Sequence, residues 1–428
     1  MGFLHEHIIL PLSDFSTGQR VHHWLHFLKQ SSNWDEAQMR QFQEERFRLL
    51  IHHLIENVPY YRELFYREKW TTDDFSSIDN LKYLPIVSKS IMRHEGTNKF
   101  VPQNISSYKH IVCHSSGTTG EPFEYFVSKE AYSLNTAAKL RTWYQAGYRL
   151  GDCYMKIVSS PRTSFIKKIQ DRVNNCICIG FNSLDSNTLQ DILKAIDQYR
   201  PSVIRTHPNV AFYLAKEREK GNYHHHPNVI MTTSSNLTPT YREVIGQSFA
   251  CDIIDSYSCE GTANCAETPL HDGYHITREY GIIEVLDNNN LPVENGIGYV
   301  VSTDLWNFAY PFLRYNTLDM VEVKNNVITR IFGRGNETLS SMNGEIFTSQ
   351  VICDYFSYLV HGVQAYRLIV HRNNSLEILL VVNSDFEPEQ QTIIANYWEQ
   401  QTQRPVAVNL VDRIPTTKSG KETVISYE

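Results

Sequence analysis

The densest run of chemistry-bearing residues in the chain is Ser115-Ser116-Gly117-Thr118-Thr119-Gly120, followed by Glu121 and Pro122. Glycines allow turns tight enough to aim successive backbone N–H groups at one anion, and the Ser and Thr hydroxyls add donors that also reach a phosphate-bound Mg²⁺. The run therefore suits a polyphosphate. It is not a Walker A loop, which needs Lys after its second Gly, because Glu121 follows Gly120. Taken alone, such a cluster reads equally well as a flexible surface turn.

Other residue types invite chemistry with less support. Cys259, Cys265, His271 and His275 fall within 17 residues and are zinc-ligand types, but their spacing is irregular, and packed thiols with solvated imidazoles explain them as well. His224-His225-His226 stands before Pro227 and reads as a solvated loop. Cys259, beside Glu260, reads as a packed thiol rather than a nucleophile, since no base is placed for it. Singly, Asp319 is a turn residue and Lys421 a solvated charge in a terminal loop.

The elements that must position these residues follow from pattern. A helix is expected over 36–58, opened by a capping box from Asn33 to Glu36 and ended by Pro59. The aromatics Tyr60, Tyr61, Phe65, Tyr66 and Trp70 favour packing over an acyl pocket. After a strand at 123–127 and a helix at 130–146, strands (154–158, 203–206, 229–233, 252–254) alternate with helices (188–199, 210–219, 239–249), the rhythm of βαβ units around a parallel sheet. Ligands gather beyond the carboxyl ends of such strands, where Ser234-Ser235-Asn236 and Asp255–Glu260 are expected, so Ser235 is a candidate nucleotide contact. Residues 274–332 turn β-rich, suggesting a small antiparallel subdomain. About 95 residues of α+β follow, with a boundary near Arg334.

Composition limits the partners. A chain of 428 residues favours two or three domains, and a formal charge of −7 with no basic block argues against nucleic acid or an anionic membrane surface. Eight cysteines without CxxC spacing point to reduced thiols in the cytoplasm. Met1–Gln19 has no Lys or Arg ahead of an apolar run, and no apolar stretch approaches a membrane span, so neither a secretory signal nor a membrane segment is expected.

The Ser115–Pro122 wording resembles the phosphate loop of the adenylate-forming (ANL) superfamily, in particular its phenylacetate-CoA ligase family. Four later stretches match in order: Tyr257-Ser258-Cys259-Glu260-Gly261, Arg314-Tyr315-Asn316-Thr317-Leu318-Asp319, Gly333-Arg334, and Pro415 to Lys421. The resemblance implies an α/β fold with a large adenylate-forming N-terminal domain (βαβ sheets plus a small β-rich subdomain, 1–333) and a small mobile α+β C-terminal domain (334–428). It implies ATP-dependent activation of a small carboxylic acid to an acyl-adenylate and transfer to coenzyme A. Ser115, Ser116, Gly117, Thr118, Thr119 and Gly120 would hold the outer phosphates, Glu260 and Thr119 the Mg²⁺, Tyr257 the adenine, Asp319 the ribose, and Arg334 the ATP beside a hinge. Lys421 would be the catalytic cation.

Several positions depart from the family's pattern. Tyr257 lies one residue closer to Glu260 than the family's tyrosine, Leu318 replaces a Gly, and Asn336 and Phe123 stand where charged residues are common. Leu10-Pro11-Leu12-Ser13-Asp14 and Thr17-Gly18-Gln19 resemble a branch associated with capsular polysaccharide biosynthesis, which would deliver the acyl group to a sugar amine, hydroxyl or carrier. A nucleotide-binding scaffold without turnover is the reading of another class.

Overall fold

The computed structural model describes residues 2–114, 124–159, 165–181, 184–259, 262–334, 338–416 and 422–428. The chain opens with a helical layer: α1 (Gly2–Leu4), a π-helical turn, α2 (Leu10–Thr17), α3 (Val21–Ser31), α4 (Glu36–Asn57), α5 (Pro59–Glu68) and α6 (Lys89–Glu95). Gly18, at φ 65°, closes α2 in the left-handed conformation open to glycine. The capping box of α4 is made by Asp35 and Gln38 rather than Asn33 and Glu36, because the helix starts at Glu36 and its cap must be the residue before. Pro59 does end α4, and it also opens α5, where its missing N–H costs no hydrogen bond. The aromatics of α5 pack: Tyr61 and Phe65 are buried, and Phe65 lies against Phe75 with ring centroids 5.2 Å apart.

A hairpin of β1 (His110–His114) and β2 (Glu124–Ser128) leads into α7 (Lys129–Gln145). Ser128 caps α7 by accepting from the Ala131 N–H. Then β3 (Tyr154–Val158), α8 (Phe165–Val173), β4 (Cys176–Gly180), α9 (Ser186–Tyr199), β5 (Val203–Thr206), α10 (Pro208–Arg218), β6 (Val229–Thr233), α11 (Pro239–Phe249) and β7 (Asp252–Cys259) build the expected parallel sheet. The pair α8–β4 is absent from the sequence expectation. β4 is the last strand of the sheet and most of its residues are only half-buried, so its sequence carries a weak core signal.

β7 runs five residues past its expected end because β8 (Ala263–Glu267) pairs antiparallel with that extension, Ser256↔Ala266 through Cys259↔Ala263. β9 (Tyr274–Ile276), β10 (Gly281–Leu286), β11 (Gly296–Asp304), β12 (Tyr315–Lys324) and β13 (Val327–Arg334) are antiparallel as the turns imply. They continue the parallel strands into one eleven-stranded sheet of order β10-β11-β12-β13-β9-β8-β7-β6-β5-β3-β4. The join between β13 and β9 is a single pair, Ile328↔Tyr274.

Past β13 the strands form separate sheets. β14 (Thr338–Ser340) pairs with β15 (Ile346–Thr348), followed by α12 (Ser349–Asp354) and a π-helical turn. β16 (Val363–Val370), β17 (Leu376–Val382), α13 (Pro388–Thr402), β18 (Val406–Leu410) and β19 (Ile425–Tyr427) make a four-stranded sheet of order β18-β17-β16-β19. One face of that sheet buries Leu368, Ile378 and Leu380 against Trp398 of α13. The other sends Ala365, Ile369, Leu379 and Val381 into the cluster that holds α10. α10 is accordingly buried all round, as a helix sandwiched between two sheets must be.

Candidate active site at the carboxyl ends of the strands

Three segments far apart in sequence meet where the parallel strands end. Tyr257, on β7, donates from its hydroxyl to Asp319 Oδ2 at 2.6 Å and lies 3.4 Å from Thr317 Oγ1. Thr317 is fixed in turn, donating to the Val300 carbonyl and accepting from the Asp319 N–H. Burial, then the Asp319 carboxylate, pushes the Tyr257 phenol well above its ordinary value, so it is a permanent donor. On β13, the strand register sets Arg334 opposite Asp319 and Gly333 opposite Met320. The loop after β6 closes the group: Asn236 Nδ2 donates to the Phe332 carbonyl at 2.7 Å.

Two of these segments carry left-handed residues other than glycine. Ser234, at φ 70°, turns the chain off β6 in the left-handed region, and Leu318 sits at φ 64° with its N–H held by Asn316 Oδ1. Leucine therefore occupies a position whose backbone suits the glycine of the related pattern. The Ser235 Oγ is buried and has no hydrogen-bond partner among the described residues. Such an orphaned hydroxyl is costly unless a ligand supplies the missing bond, and with Asp319 it offers a donor and an acceptor to a nucleotide.

Arg314 has a structural task. Its guanidinium pairs with Glu284 through Nε (2.9 Å) and Nη2 (2.8 Å), while Nη1 donates to the carbonyls of Lys82 (3.0 Å) and Leu84 (2.6 Å). Val87 N–H donates to the Arg314 carbonyl, and Asn316 N–H to that of Val87. The segment before α6 is thus stitched to the segment that carries Asp319.

A second polar group joins the C-terminal sheet to the larger one. Tyr241, in the first turn of α11, donates to Glu422 Oε2 at 2.7 Å, and Tyr213 accepts from the Ile414 N–H at 2.9 Å. Arg413 reaches Ser186 Oγ at 2.9 Å. Burial raises the Glu422 carboxyl to about 7, against hydrogen bonds from Tyr241, Tyr213 and Asn209 that favour its charged form. Tyr241 lies six residues beyond Ser235, and Glu422 is the residue after Lys421.

Of the expected site residues, Ser235, Tyr257 and Asp319 are brought to one region, with the Arg334 backbone beside Asp319. Ser115, Ser116, Gly117, Thr118, Thr119, Gly120, Glu260, Asn336 and Lys421 lie outside the described residues, as does the Arg334 side chain. The cysteines and histidines weighed for zinc are engaged separately. Cys265 is buried in an apolar cluster, His271 Nε2 lies 2.7 Å from Asp252, and His275 Nε2 lies 2.7 Å from Asp272. His225 and His226 are tied to the carbonyls of Pro201 and Phe249. Sequence reasoning placed Asn236 at the crevice with Ser234 and Ser235 but missed Tyr213, Tyr241 and Glu422. Only Glu422 had a signal, its place next to Lys421.

The sequence and the fold have counterparts among known proteins. Residues 339–428 match the family model of the CapK C-terminal domain. A phenylacetate-coenzyme A ligase of Pseudomonas putida is 25% identical over 365 residues, covering 79% of this chain and 80% of the relative. The solved structure of 2-hydroxyisobutyryl-CoA ligase in the postadenylation state with 2-HIB-AMP superimposes with a TM-score of 0.72 at 17% identity, covering 92% of this chain and 90% of that one. The TM-score is 0.60, at the same identity and coverage, for that ligase with 2-HIB-AMP and CoA in the thioesterification state. The chain is a homologue of the phenylacetate-coenzyme A ligases, with the fold of the adenylate-forming enzymes and a CapK-type C-terminal domain.

Proposed function

We propose that the protein activates a carboxylic acid with ATP, forming an acyl-adenylate and pyrophosphate, and then transfers the acyl group to the thiol of coenzyme A. The observation that carries this reading is the meeting of Tyr257, Asp319, Ser235 and the Gly333-Arg334 backbone at the carboxyl ends of the strands. Asp319 accepts from the ribose hydroxyls, Tyr257 holds that carboxylate in place and flanks the adenine, and Ser235 Oγ supplies a hydrogen bond to the nucleotide. Ser115 to Gly120 would cradle the β- and γ-phosphates, and Glu260 with Thr119 would hold Mg²⁺, which would supply charge neutralisation for the phosphates.

Lys421 places its ammonium between the attacking carboxylate and the α-phosphate, offsetting their mutual repulsion. Arg334 binds ATP beside the hinge. The boundary falls at 333/334, and the small domain turns about it to exchange the adenylating arrangement for one that admits the thiol. Eight free thiols fit a cytoplasmic enzyme, and no described helix is long and apolar enough to cross a membrane.

The CapK-type domain at 339–428 favours a second reading of the acceptor, a sugar amine or hydroxyl or a carrier, with the same adenylation half-reaction. Exchange of labelled pyrophosphate into ATP, run over a panel of acids, tests the first half. Acid-dependent exchange is expected, and ATP binding without exchange for any acid would overturn it in favour of a scaffold. Mass detection of an acyl-CoA thioester then decides between the acceptors.

A further inference from the structure

Residues 2–17 run as one helix, because the π-helical turn between α1 and α2 has helical backbone at both joints, Leu4 and Ile9. Leu4, Ile8, Leu12 and Phe15 recur at the three- and four-residue spacing that puts side chains on one face, and Phe3 packs on His7 with ring centroids 4.5 Å apart. In an ordinary surface helix such a face is the buried one. Here it is open: Phe3 is 78%, Leu4 50%, Ile8 49%, Leu12 63% and Phe15 90% exposed, and no other large apolar side chain among the described residues is as exposed as Phe15.

The acids of this helix face the protein instead. Asp14 is buried and accepts from the His22 N–H at 2.8 Å, while Glu6 pairs with Lys29 and accepts from the Tyr144 hydroxyl at 2.9 Å. Those contacts fix the helix to α3 and α7, and Leu10 packs against the core beneath. The apolar face therefore has no place within its own fold, and a contiguous patch of this size marks an interaction surface.

Area and charge choose the occupant. At about 150–200 Å² for each fully exposed large side chain, the five exposures together present on the order of 500–650 Å². Two copies face to face would cover about 1,000–1,300 Å², enough for specific association. Residues 2–17 include no Lys or Arg, and the next cations in sequence are already held, Arg20 by Glu130 at 3.0 Å and Lys29 by Glu6. The face thus lacks the free cations with which a surface helix grips an anionic bilayer. A second copy suits it better. A two-fold axis through the middle of the stripe sets the neutral Glu6–Lys29 pair of one chain toward the neutral Arg20–Glu130 pair of the other, so no like charges are opposed.

We propose that this face is a homodimer interface, in which two copies of the helix over residues 2–17 pack antiparallel through Leu4, Ile8, Leu12 and Phe15. Sedimentation of the full chain over a hundredfold range of micromolar concentration is expected to show a mass rising to twice that of the chain. Leu12→Asp combined with Phe15→Asp should raise the dissociation constant at least tenfold with the circular dichroism of the parent, because the contacts that hold the helix lie on its other side. Leu12→Gln with Phe15→Gln is the milder pair, expected to weaken association in the same direction. Hydrogen exchange of the unmutated chain supplies a readout independent of any variant: amides over residues 3–15 should exchange more slowly at the top of the concentration range than at the bottom. A chain that stays monomeric throughout, or a dimer whose dissociation constant and exchange pattern ignore this helix, overturns the inference. Flotation of a monomeric chain with phosphatidylcholine–phosphatidylglycerol vesicles, abolished by the same substitutions, would give the face to a membrane and overturn it equally.

Discussion

Tyr257 donates to Asp319 over 2.6 Å, and Tyr241 donates to Glu422 over 2.7 Å. The chemistry is the same and the setting is opposite. The first bond lies inside one continuous sheet, between β7 and β12, with Asp319 also held through Thr317. The second crosses from α11 to the segment between β18 and β19, joining two sheets that share no strand. A bond within a sheet presents a ligand surface that stays formed throughout turnover. A bond across a seam is one that the proposed domain rotation would make and break, and it would bias one arrangement by its strength.

The largest effect expected is at the seam's neighbour. Lys421→Ala should lower pyrophosphate exchange by a factor on the order of 10² to 10³, the usual consequence of removing one preorganised charge partner, with ATP binding retained by calorimetry. Next comes the bond within the sheet. Asp319→Asn should raise the KM for ATP about tenfold or more, and Tyr257→Phe less, both with unchanged circular dichroism. Equal losses of kcat with normal ATP binding would place Asp319 outside the nucleotide site.

Tyr241→Phe should cost about 1–3 kcal/mol in the docking of the C-terminal sheet, because it removes a donor from the carboxyl of Glu422. Faster proteolytic cleavage between residues 334 and 340 than in the parent would report it, and cleavage unchanged would remove the clasp from the account. The pH dependence follows from the same residue. The folded carboxyl titrates near 7 against an ordinary 4.5, so the folded chain holds a proton that the unfolded chain has released. The stabilisation is therefore fully present below 4.5 and is lost as pH rises through 7. The melting temperature of the parent relative to Glu422→Gln should decline from pH 5 to pH 8. A flat difference would contradict the buried carboxyl. The smallest change is Leu318→Gly, which should stabilise the fold by up to about 1 kcal/mol by relieving a left-handed leucine, read as a small rise in melting temperature.

Much of this architecture was legible because the signals are local. The strands at 154–158, 203–206 and 229–233 and the helix at 239–249 have the bounds their patterns imply. What escaped depends on partners distant in sequence. The last five residues of β7 are a strand only because β8 folds back on them, and β4 is held by one neighbour. Glu422 becomes significant only when Tyr241 reaches it across 181 residues.

Arg314 holds the carbonyl of Leu84 across 230 positions of chain. During synthesis, the loop ahead of α6 leaves the ribosome long before the residue that fastens it. The Asp319 region cannot take its final form until more than two-thirds of the protein exists, so ATP affinity should emerge late and abruptly on nascent chains of increasing length.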